Sequence, residues 1–140
     1  MNQNPLAAYR ETRVKTASPG QLVVMLYEEA VKQCDRAVEL LSKGPKPADI
    51  ERCGTIILHV QDIITELMAS LDFEAGGQLA HDLFSLYVYF NRELMEANIA
   101  KDASRVRSIR DLLDELRGAW AVAATQAQGS ERVQGVNIAG

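Results

Sequence analysis

"SPGQLVVMLYEEAVKQCDRAVELLSKGP", residues 18–45, carries the start, body and end of one helix. Ser18 can accept a hydrogen bond from an orphaned backbone N–H, Pro19 brings a preset φ and no donor, and Gln21 stands three residues after the cap. Together they spell a capping box. Val23, Leu26, Ala30, Cys34, Ala37 and Leu41 then recur in alternating steps of three and four, which keeps them on one side of a helix. Gly44 and Pro45 stop it, so the spacing predicts an amphipathic helix over 18–43.

The same grammar recurs downstream. Pro47 restarts the chain with Asp49 and Glu51 in a first turn, where negative charge complements the helix dipole. The stripe Cys53, Ile57, Val60, Ile64, Leu67 and Leu71 follows, giving a helix over 47–71. "LDFEAGG", residues 71–77, breaks the pattern with paired glycines. A third helix over 78–100 carries Leu79, Leu83, Leu86, Phe90, Leu94 and Ala97. After "AKDAS", where Asp102 can cap, the fourth buries Val106, Ile109, Leu113, Leu116, Trp120 and Ala123. No strand signal and no internal repeat occurs. Four helices with short connections predict an all-α fold, an antiparallel up-down four-helix bundle over 18–124. Residues 1–17 form an arm, within which 4–11 could make a short N-terminal helix, and the glycine- and glutamine-rich 125–140 reads as a mobile tail.

Composition narrows the function. At 140 residues, 47% apolar and 24% charged, the chain is one globular domain. A net charge of -4 argues against nucleic acid, and the one basic cluster, "RVRSIR" at 105–110, runs straight into "DLLDEL" as a solvated helix face. No apolar run is long enough for membrane insertion, and "MNQNPLAAYR" lacks the apolar core of a signal peptide, so a cytoplasmic protein is expected. Cys34 and Cys53 are then expected to be buried free thiols.

Catalysis is not expected. The sequence has no CxxC, no HExxH, no Glu-x-x-His pair, no nucleophile elbow and no glycine-rich phosphate loop, so neither an enzyme nor a metal or other cofactor is predicted. The informative feature is apolar surface beyond one stripe per helix: Leu22, Val24, Met25 and Val31, then Ile56 and Ile63, then Phe84, Val88 and Met95. Such residues are either covered by neighbouring helices or line a groove for a partner. Leu22, Met25, Ile56, Ile63, Phe84 and Val88 are the groove candidates, joined by Leu6 and Tyr9 of the arm. Tyr27, Tyr87 and Tyr89 fit the core and the groove equally.

"YRETRVKTASPGQLVVMLYEEAVKQCDRA", residues 9–37, resembles the N-terminal signature of the flagellin export chaperones, the FliS family. "LDFEAGGQLAHDLFSLYVYFNRELMEAN", residues 71–98, is similar to the second signature of that family, and "LRGAW", residues 116–120, to the third. The resemblance implies a four-helix bundle preceded by a short helix. It also implies a cytosolic role, in which the protein holds the disordered C-terminal region of flagellin until export and then docks on the export gate. A structural or adaptor homodimer is the alternative, so self-association stays open. The mechanism expected is helix-in-groove recognition without a nucleotide.

Overall fold

A computed structural model of the protein describes residues 17–139, and side chains as far as residue 127. Leu6 and Tyr9, with the short helix expected at 4–11, lie outside the described residues. Four helices follow in order: α1 Pro19–Ser42, α2 Pro47–Ala69, α3 Phe73–Ala100 and α4 Ala103–Ala139. Each packs on its neighbours in sequence and α4 closes on α1, which is the up-down-up-down bundle expected from the short connections. Among the described residues no helix is long and apolar enough to cross a membrane.

Side chains set most of the boundaries. Ser18 Oγ accepts from Gln21 N at 3.2 Å while Gln21 Oε1 accepts from Ser18 N at 2.9 Å, the reciprocal box written in the sequence. Asp72 accepts from Ala75 N at 3.0 Å to cap α3, and Asp102 accepts from Ser104 N at 3.0 Å at the start of α4. Gly44 ends α1 with φ +64. The glycine break is resolved in detail: Phe73–Gly76 forms one capped turn, and Gly77 leaves helical geometry at φ 52, ψ -130. That region is open only to glycine, so the continuous part of α3 begins at Gln78, as the pattern implied.

α4 differs from expectation. It runs on through residues 125–139, where a tail was predicted. Gln126, Ala127 and Gln128 are good helix formers, no proline interrupts them, and a glycine weakens a helix by only about 1 kcal/mol without ending it.

The core takes Tyr27, Cys34, Ile57, Ile64, Phe90, Leu94, Ile109 and Leu113 from the four predicted stripes and from Tyr27 beside them. Leu79, 61% exposed, and Trp120, only partly buried, are among the stripe positions that depart from it. Both lie where the α3–α4 seam opens at the end of the bundle. Cys34 and Cys53 are free and buried, and burial pushes the Cys34 thiol up to about 12.

Candidate partner-binding surface

α2 is packed between α1 and α3, so it buries a wide arc. Ile56 and Ile63 belong to that arc, at 6% and 5% exposure, and are core residues instead of groove lining. Their distance from the main stripe is spanned by α1, which covers the flank of α2 that carries them. Leu22 and Met25 are partly buried. At 100° per residue they fall on the side of α1 that carries Glu29 and Gln33, whose neighbourhood forms a polar cleft with Ile56 and His59 of α2. Phe84 and Val88 are exposed, on the opposite flank of α2. The six described candidates therefore do not share one surface.

The flank between α2 and α3 can be built from its hydrogen bonds. Gln61 Nε2 donates to the Asn91 carbonyl at 3.0 Å, and Thr65 Oγ1 donates to the Gln61 carbonyl at 2.9 Å. Asn91 Nδ2 reaches Thr65 Oγ1 at 3.4 Å, and Asn91 Oδ1 is buried without a partner. These contacts place Gln61 and Thr65 opposite Asn91 as a polar floor. Phe84, Val88, Met95 and Ile99 share the Asn91 side of α3 at steps of four and seven, and all four are exposed. Leu58, 57% exposed, is the matching residue on α2. Phe73 extends the patch, with its ring 4.8 Å from His81 and 6.0 Å from Phe84 between centroids.

A second apolar feature lies at the end of the bundle. A cavity of about 310 Å³ is lined by Val23, Leu71, Leu79, Leu83, Tyr87 and Trp120, among others. Beneath it the hydroxyls of Tyr27 and Tyr87 are hydrogen-bonded across the core. Burial raises both phenol pKa values. The bond to Tyr87 raises Tyr27 further, and the same bond lowers Tyr87 against its burial; either hydroxyl can be the donor. This settles two of the three tyrosines as core residues, while Tyr89 is exposed.

The α1–α4 seam is the contrasting flank, closed by charge. Arg110 pairs with Asp35 at 2.8 Å and reaches Asp111 and Asp114, while Arg117 holds Asp114 at 2.8 Å. Among the described residues no group of His, Cys, Asp and Glu could hold a metal ion. Among the described residues the arrangement offers an exposed apolar face on the bundle, with adaptable Met95 in it.

Comparison with known proteins agrees with that architecture. The family profile "Flagellar protein FliS" matches residues 2–127. The chain belongs to the FliS family. It is 32% identical to the flagellar secretion chaperone FliS of Bacillus subtilis (strain 168), over 93% of this chain and 90% of that protein. Against the chaperone of the same name from Salmonella typhimurium it is 34% identical, covering 86% and 87% of the two chains. A crystal structure of a flagellar chaperone from bacteria superposes with a TM-score of 0.70 over 88% of this chain and 99% of that one. At 17% identity that likeness speaks for the fold. FliS proteins are chaperones, not enzymes.

Proposed function

We propose that this FliS protein is a cytoplasmic flagellar export chaperone whose client is the C-terminal region of flagellin, and that the client docks on the α2–α3 face. One observation carries the proposal. α3 buries Leu83, Tyr87, Phe90 and Leu94 yet still exposes Phe84, Val88, Met95 and Ile99, so its apolar surface exceeds what this bundle can cover. The names of the relatives supply the class of function.

The physical logic is substitution. A flagellin terminus is an amphipathic segment that packs in the filament, and an apolar face on a chaperone can cover that segment beforehand. Ordering a flexible client on such a face buries on the order of 1,000 to 3,000 Å² and gives up several kcal/mol of the interaction, which keeps release feasible. No nucleotide is required. Phe84 and Val88 contact the client directly, with Leu58, Met95 and Ile99. Leu22 and Met25, on the other flank of α2, and the arm residues Leu6 and Tyr9 make secondary contacts. A loaded chaperone then docks on the export gate.

Light scattering coupled to size exclusion tests the proposal. The chain with a peptide of the flagellin C-terminal region encoded in the same genome should elute as a mixed complex. A chain that forms a dimer of the same mass with or without peptide would be a structural homodimer instead.

A further inference from the structure

We infer that the segment docking on the α2–α3 face is a basic amphipathic helix of about four turns, apolar along one edge and carrying lysine or arginine beside it. This rests on reading that face as the client surface and adds the charge of its occupant. The apolar stripe runs from Phe84 to Ile99, which at 1.5 Å per residue matches a helix of about 15 residues. Its surroundings are strongly acidic. Residues 47–100 hold nine acidic side chains against Arg52 and Arg92, a local charge of -7 in a chain whose total is -4.

The placement of those acids matters more than their number. Glu51, Asp62 and Glu66 are exposed along the outer ridge of α2, within about 80° of Leu58 around the helix. Across the face, exposed Arg92 falls on the same line of α3 as Val88 and Ile99, and Glu96 lies beyond it in a 3.9 Å contact with Arg105 of α4, so the acidic edge of the face is that of α2. An apolar face with an acidic edge along α2 attracts a partner that sets cations against that edge and repels one of like charge there. Anionic lipid and nucleic acid are disfavoured by the same field. A second copy of this chain would set one acidic half against another, so self-association through this face is disfavoured too.

The test uses the full chain and the flagellin C-terminal peptide, titrated calorimetrically at 50 and 500 mM NaCl. Exposed charge pairs are screened over a few ångströms at the higher salt, so affinity should fall at least tenfold across that range. The triple variant Glu51→Gln, Asp62→Asn, Glu66→Gln should bind several-fold more weakly at low salt and lose most of the salt dependence, with an unchanged melting temperature. Val88→Asp separates the charge of the occupant from the location of the surface. If the peptide binds, Val88→Asp blocks it, and the triple variant has the wild-type salt slope, the face is the client surface but its occupant is not basic, and this inference falls alone. If the wild-type chain does not bind the peptide, the reading of the face falls with it. Dimerisation of the free chain at high salt, abolished by Val88→Asp, would assign the face to a second copy and overturn the inference.

Discussion

The buried Tyr27–Tyr87 hydroxyl pair is the most direct probe of how the core is specified. Tyr27 and Tyr87 are 0% and 1% exposed and their hydroxyls bond across the core between α1 and α3, sixty residues apart in sequence. Either hydroxyl can donate, and Tyr27→Phe leaves the Tyr87 hydroxyl without this partner. Tyr87→Phe likewise leaves the Tyr27 hydroxyl without this partner. A buried polar group left unpaired costs about 1–3 kcal/mol, so each single substitution should destabilise by about 2 kcal/mol. The double substitution leaves two phenyl rings in the same packing, with centroids 6.4 Å apart in the present arrangement, and no stranded hydroxyl. Its cost should be near that of one single change, giving a coupling energy of about 1–2 kcal/mol in the cycle. Urea unfolding of the four proteins measures this, with equal slopes as the check on two-state behaviour. Additive costs would mean the hydroxyls do not depend on each other, and the reasoning would be wrong.

Gly77→Ala should destabilise by about 1–3 kcal/mol, because φ 52, ψ -130 is strained for any side chain even where nothing crowds the new Cβ; a thermal melt within 1 °C of wild type would contradict it. Stability should hold from neutral pH to about 9 and then fall. Above the ordinary thiol value of 9.0 the unfolded chain loses the Cys34 proton while the folded chain keeps it up to about 12, so the slope is about -1.4 kcal/mol per pH unit. Cys34→Ala should flatten that fall in chemical denaturation, and an equally steep fall would assign it to other groups. Ile63→Lys should unfold the chain at 25 °C, since a charge would replace a core side chain; a folded, dispersed NMR spectrum would return Ile63 to the surface.

Much of this architecture was legible, and the reasons differ by element. α1 could be read end to end because its cap, its period and its terminating glycine are all local signals. The glycine break was legible as a break, but its single capped turn was not, because that depends on Asp72 finding Ala75 N. Residues 125–139 read as a tail in the sequence and are helical in the structure, because glycine weakens a helix without ending it. The candidate surface was legible only in part. Periodicity identifies residues off the main stripe, yet which flank a neighbour covers is decided by packing. Ile56 and Ile63 therefore pass for surface in the sequence, while Phe84 and Val88 are exposed apolar positions as the pattern suggests. Leu58 and Ile99 were missed. Their exposure follows from lying on the outward sides of α2 and α3, although the step of four from Met95 to Ile99 was a usable signal. Trp120 continued a good stripe but lies at the open end of the bundle, where the stripe runs out of partners.

Whether the exposed apolar face of α2 and α3 holds the flagellin C-terminal region decides everything else. The measurement that meets this claim most directly is calorimetric titration of the flagellin C-terminal peptide into the wild-type chain and into Val88→Asp and Met95→Asp. Both side chains are exposed in the free protein, so the charges cost little until a client desolvates them. Binding should weaken at least a hundredfold in each variant while melting temperatures stay within about 3 °C of wild type. Unchanged affinity in both variants would place the client elsewhere and contradict the claim.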